Sequence, residues 1–227
     1  MAGTGRGERW TGYQAVGVAF ASGHVLTFRR FASSAVGDGF SSVWIRHPWG
    51  AWTIVTDCPP ALGCGRYFGG EGVRLEQRRI DARWSGERTL SVSVPAHRLA
   101  WVLQLATRSA ALRTVDALGR RARLWKAPLV RRVLSRAAEG LVGCRGLILE
   151  GVTPSGHRLR VDPEELRGVA ASVARLEGRH LGPVVLLGRR VTLGGLTMPR
   201  YGYFLTGTEH FTWRAQSPIQ MPMARAV

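Results

Sequence analysis

Lysine is almost absent from this 227-residue chain: of its 32 basic residues only Lys126 is not an arginine. Against 15 acidic residues they leave a net charge of +17, which points to nucleic acid when the basic residues gather on one face. Here arginines run along the whole chain, so the excess reads as a basic but ordinary surface and no nucleic-acid partner is expected. Cysteine is scarce too. Cys58, Cys64 and Cys144 cannot all pair, and the opening Met1-Ala-Gly-Thr-Gly-Arg-Gly-Glu-Arg9 lacks the apolar core of a secretory signal. Both features lead us to expect a reducing, cytoplasmic setting. No apolar run approaches the ~20 residues of a membrane-spanning helix, so any membrane contact is expected to be peripheral. There is no Gly-x-Ser-x-Gly elbow and no Gly-x-x-x-x-Gly-Lys-Ser/Thr loop, which removes the usual support for a nucleophilic hydrolase or a nucleotide binder. Cys-x-x-Cys and His-x-x-His spacings are missing as well, and neither a metal nor a cofactor is expected.

What the chain does have is alternation. Ser41 to Arg46 and Trp52 to Asp57 are β-branched and aromatic runs joined by His47-Pro48-Trp49-Gly50, which supplies a preset φ and a permissive glycine for a tight hairpin turn. Tyr13 to Phe20 and Gly23 to Phe31 precede it as strands. In the second, His24, Leu26 and Phe28 share one face, and Val25, Thr27 and Arg29 the other. Val73 to Trp84 alternates with a phase slip that calls for a break near Gln77-Arg78-Arg79. Leu90, Val92 and Val94, then Leu99, Trp101, Leu103 and Leu105, keep a period of two, as an antiparallel sheet with a buried face requires.

From about 114 to 142 the period becomes helical: Val115, Leu118, Ala122, Trp125, Leu129, Val133, Ala137 and Leu141 fall on one side. Pro128 divides this insert into two helices. Strands return at Gly146 to Val152 and at His157 to Val161 across the turn Thr153-Pro-Ser-Gly156. Leu166 to Leu176, Val184 to Leu187, Arg190 to Leu193 and Tyr201 to Trp213 complete the set. The expectation is a mainly β, antiparallel single domain over 12–214 with one helical insertion, a disordered segment at 1–11 and a flexible tail at 215–227.

This order of strands and insert, with Gly23-His-Val-Leu-Thr-Phe-Arg-Arg-Phe31, Ser42-Val-Trp44, Gly50-Ala-Trp-Thr-Ile-Val-Thr-Asp57, Arg66-Tyr-Phe68, Trp84-Ser-Gly-Glu-Arg-Thr-Leu90 and Pro154-Ser-Gly-His-Arg-Leu-Arg160, resembles lipocalin-like barrels of the calycin type. The motifs are most similar to a set of uncharacterised actinobacterial proteins, and more distantly to domains like hydroxyneurosporene synthase, a carotenoid hydratase. The resemblance implies a lipocalin-like β-barrel. It carries no catalytic residue onto this chain.

Among the residues, Asp57-Cys-Pro-Pro-Ala-Leu-Gly-Cys-Gly-Arg-Tyr-Phe68 is the strongest candidate site: a carboxylate, two thiols, an arginine and a phenol on one Gly/Pro-shaped loop. The plainer reading is a crossover in which Asp57 caps a turn and pairs with Arg66 while Tyr67 and Phe68 plug a barrel end. Cys58 and Cys64 could form a disulfide or half of a metal site. His24 and His210, with Glu209, are the acid/base candidates beside Asp57; His47 and His157, in turns, are expected to be solvated. Trp44, Trp52, Arg66, Tyr67, Phe68, Trp84, Trp101 and Tyr203 are the candidate ligand-binding set. Arg120, Arg121, Arg123, Trp125, Arg131 and Arg132 on the insert suit an anionic membrane surface, or form the solvated face of a helix over the barrel end. Three functions follow: binding of a hydrophobic small molecule (isoprenoid, acyl chain or polyketide); cofactor-independent cyclisation, hydration or isomerisation of such a molecule; or a peripheral membrane scaffold.

Overall fold

Side chains alternate between two buried faces along the central strands, and this double burial shapes the molecule. The computed structural model describes residues 7–34, 37–107, 140 and 146–212. An antiparallel meander opens the chain: β1 (Glu8–Ala19), β2 (Val25–Ser34), β3 (Gly37–Arg46) and β4 (Trp52–Thr56). A one-turn helix α1 (Gly65–Phe68) leads to β5 (Val73–Gln77), which lies parallel to β4. Then come β6 (Asp81–Ser85), β7 (Thr89–Val94) and β8 (Leu99–Leu105). After residue 145 follow β9 (Glu150–Val152), β10 (Arg158–Leu176), β11 (Arg179–His180), the small hairpin β12 (Thr192–Leu193) and β13 (Leu196–Thr197), and β14 (Tyr203–Thr212). The main sheet runs β5-β4-β3-β2-β1-β14-β10-β8-β7-β6. It is a curled, mostly antiparallel half-barrel, with very little helix among the described residues. Its edges, β5 and β6, are consecutive in sequence and joined through Arg78, Arg79 and Ile80, where the phase slip was expected.

Parity sorts the core into two clusters. Val25, Phe31, Phe40, Trp44, Ile54, Tyr203 and Leu205 point to one side; Leu26, Phe28, Val43, Ile45, Val55 and Phe204 point to the other. The second side is closed by the sheet itself. The nineteen-residue β10 pairs with β14 over its first half and with β8 over its second. Bulges at Pro163/Glu165 and Val169/Ala171 bend it, so that β8, β7 and β6 fold over that face. The first side is covered by irregular chain: the loop with α1, Leu147 to Leu149, and the segment around β12 and β13. A bulge in β1 sets its phase. Gly17, at φ +69°, donates its N–H to Thr27 Oγ1 at 3.0 Å, and the register slips between Ala15 and Val18. Val16 and Ala19 therefore face one cluster, and Ala15 and Val18 the other. A Cβ at Gly17 would meet the Pro199 ring at 2.7 Å, so the position requires glycine on two counts.

Several expectations change. β1 starts at Glu8, within the stretch expected to be disordered, because Trp10 is fully buried against Phe31, Phe40, Tyr67 and Phe211. The strands expected at His157 to Val161 and Leu166 to Leu176 are one strand carried through by bulges. Val184 makes a single bridge to Phe20 rather than a strand, and of Arg190 to Leu193 only Thr192–Leu193 pairs. The insert expected to be helical, with Arg120, Arg121, Arg123, Trp125, Arg131 and Arg132, lies outside the described residues except for Gly140, which is helical. The tail at 215–227 lies outside them too. No helix among the described residues is long and apolar enough to cross a membrane.

Candidate ligand cavity

Three neighbouring strands bring Gln14, Arg29 and Glu209 to the loop-covered side. Gln14 of β1 stands opposite Arg29 of β2, and β14 supplies Glu209. Arg29 and Glu209 are each 2% exposed. Arg29 Nη2 pairs with Glu209 Oε2, and Gln14 bridges the two, donating Nε2–H to Glu209 Oε1 at 3.0 Å and accepting from Arg29 Nε at 3.2 Å. The remaining guanidinium surface lies against rings, with Trp44 at 4.7 Å, Phe68 at 4.8 Å and Phe31 at 5.0 Å, and Nη1 reaches Cys64 Sγ at 3.6 Å. Burial alone would lower the Arg29 pKa, but Glu209 and then Cys64 outweigh it and hold the group above the ordinary arginine range. Burial pushes the Cys64 thiol up to about 11, so it is a protonated, poorly nucleophilic group at neutral pH.

Above this triad lies a narrow cavity of about 20 Å³, space for about one water. Trp44, Phe68 and Tyr203 supply its rings; Val16, Leu159, Ile148, Leu196 and Met198 supply the aliphatic lining. Tyr203 is held by accepting the Ile148 N–H at 3.1 Å, and Trp44 by donating Nε1–H to Ser42 Oγ at 3.1 Å. Leu196 and Met198 come from the cover around β12 and β13, a separate two-stranded sheet tied to the main one by the Gly195 N–H to the Val152 carbonyl (3.2 Å) and by Trp52.

Of the candidate ligand-binding set, the fold gathers Trp44, Phe68 and Tyr203 here, with Glu209 from the acid/base set. Trp52 and Tyr67 belong to the same cluster but turn away from the cavity: Trp52 donates to the Thr192 carbonyl at 3.2 Å, and Tyr67 stacks on Phe211 at 4.0 Å. Burial, and then its bond to Glu8, raises the Tyr67 pKa. Trp101 lies on the other face, donating to Ser172 Oγ at 2.8 Å, and Trp84 is 39% exposed at the far edge. Arg66 is exposed and pairs with Glu8 at 2.9 Å, not with Asp57. Asp57 instead accepts the Ser41 N–H at 2.7 Å, with Arg30 at 3.7 Å. His24 sits in a turn, bonded to Ser22 and 5.7 Å from the His47 ring, while His210 faces the opposite side from Glu209 and pairs with Asp162 at 2.9 Å. The four acid/base candidates thus do not form one site. His157 is 6% exposed and set edge-on to Tyr67, not solvated. Cys58 and Cys64 are free thiols.

Arg29 and Gln14 are the cavity residues that sequence reasoning missed. The available signal was the shared parity of Val25, Thr27, Arg29 and Phe31, which places an arginine in an apolar row.

No family model matches the chain, and no curated protein does. Among solved structures it is similar to acetoacetate decarboxylase from Legionella pneumophila, at 11% identity and a TM-score of 0.40 over 91% of this chain and 84% of that one. It is also similar to a protein from Nitrosomonas europaea described as AttH, at 12% identity and a TM-score of 0.31, over 96% of this chain and 55% of that one.

Proposed function

We propose that the chain binds a neutral, mainly apolar small molecule, of isoprenoid, acyl or polyketide type, between the sheet and its loop cover. The observation that carries this is a charge-balanced polar triad buried at the floor of an otherwise apolar cavity whose lid stands outside the main ladder. A few fixed polar groups in an apolar lining orient a ligand without setting the affinity. Because Glu209 already neutralises Arg29, an anionic ligand would have to displace a buried carboxylate, whereas a neutral one with a single hydroxyl or carbonyl would not. Room for the ligand comes from Leu196 and Met198, the latter an adaptable gap-filler. The resemblance to lipocalin-like barrels accords with this reading. Catalysis is favoured less, because Glu209 faces the cavity in an ion pair, and Asp57, His24 and His210 are elsewhere. Solvent extraction of purified protein followed by mass spectrometry tests the proposal. A neutral lipophilic compound should be recovered from wild type and lost from Met198→Trp, which fills the cavity. Recovery of nothing from wild type, or equal recovery from both proteins, would overturn it.

A further inference from the structure

At one end of the half-barrel three segments meet: the turn at Ala21 to His24, the turn at His47 to Gly50, and the chain from Pro183 to Arg189. They are tied together by backbone bonds from Ala21 to Pro183 (2.9 Å) and from Val185 to Ala19 (2.9 Å), and by Arg189 Nη2 donating to the Pro48 carbonyl at 3.2 Å. Their tips carry large apolar side chains in water: Trp49 is 74% exposed, Leu186 44%, Val185 38% and Val184 37%. Gathered at one end, these residues stand apart from singly scattered apolar surface residues. Between the segments runs a shallow groove of about 110 Å³ whose wall includes Arg46 and Arg189. Neither arginine meets a carboxylate among the described residues; burial, and then Arg189, push the Arg46 pKa down. The titratable groups nearby are His24 and His47, with Glu177 acting on both and His97 on His47.

We infer that this end docks on an anionic lipid bilayer, with Trp49, Val185 and Leu186 entering the interface and Arg46 and Arg189 straddling lipid phosphates. Two like charges held together without a counter-ion are complementary to an anionic surface, and a tryptophan at the tip of a rigid turn suits the headgroup level. The proposed site shares no residue with the Arg-rich stretch 113–136 and does not depend on the cavity holding a ligand.

Co-sedimentation of the full chain with vesicles tests it. The protein should pellet with phosphatidylcholine/phosphatidylglycerol vesicles, not with phosphatidylcholine alone, and should be released as salt rises. Arg46→Gln/Arg189→Gln should bind about thirtyfold more weakly, at roughly 1 kcal/mol per basic residue. Trp49→Ala should bind about tenfold more weakly, from the apolar surface withheld. Vesicles should shift the wild-type tryptophan emission to the blue, and the Trp49→Phe variant should lack that shift. Three results would overturn the inference: no pelleting of wild type, full binding by both variants while Arg120→Gln/Arg121→Gln loses it, or release by free inorganic phosphate at matched ionic strength.

Discussion

The two sides of the central strands are built from neighbouring residues of the same segments, yet they are covered in different ways. One side is closed by β6 to β8, a continuation of the sheet, so its cover is held by ladder hydrogen bonds as well as by side chains. The other is covered by loops, α1 and the separate β12–β13 hairpin, and it receives Arg29 and Glu209, the only buried charged side chains described on the central strands β1 to β4 and β14. A core sealed by a sheet resists local opening. A core sealed by irregular chain can open without breaking the ladder. The polar triad therefore lies on the side whose cover can open, as the proposed binding of a small molecule requires.

This contrast can be tested by mutation, beginning with the charge pair. Arg29→Met leaves Glu209 buried and unpaired, and should lower unfolding stability by about 3–5 kcal/mol; Arg29→Met/Glu209→Leu should recover most of that loss. Urea denaturation of both variants reads the difference, and an equal loss in the two would show that packing, not charge balance, dominates. A smaller gap is expected between the two covers. Leu103→Ala on the sheet-sealed side should cost about 3 kcal/mol, and Met198→Ala on the loop-sealed side about 2 kcal/mol, because loops collapse into a void more readily. If Met198→Ala proved the costlier of the two, the loop cover would be as rigid as the sheet.

The smallest effect is a pH dependence. His24, His47 and His157 have lowered pKa values, in each case chiefly through burial. The unfolded chain takes up protons near pH ~6.5, while the folded chain resists until lower pH. Their contribution to stability is therefore complete above that value and declines as pH falls from it towards the depressed folded values. Asp162 is affected by burial in the raising direction, but His210 and Arg160 hold it below the usual carboxylate range. Its contribution fails only in stronger acid. The urea midpoint followed from about pH 8 to about pH 5 should fall, and His24→Asn/His47→Asn should flatten that slope. An unchanged slope in the double variant would assign the pH dependence elsewhere.

Much of the strand pattern could be read from the sequence because turn chemistry is local. Gly50 at φ +104° and Gly156 at φ +84° stand where Pro-containing turns were expected, and the break before Asp81 followed from alternation alone. The double burial could not be read in the same way. An arginine in a strand reads as solvent-facing until a second layer covers it, and its partner Glu209 comes from the last described strand. Arg66 and Asp57 share a loop, which suggested pairing. β1 placed Glu8 nearer to Arg66, and Arg30 took the place beside Asp57. Trp84 and Trp101 kept the expected alternation but belong to the second layer, so parity alone could not assign them to the cavity.

The sheet's two edges, unpaired among the described residues, carry one more consequence. β5 and β6 are only five residues each and bear Arg74, Glu76, Asp81 and Arg83, with Arg78 and Arg79 between them. A foreign strand seeking unpaired backbone there would meet charge at nearly every second position and run out of partners within two turns of the pleat. Without a closed ladder, the molecule still discourages edge-to-edge aggregation where its half-barrel stops.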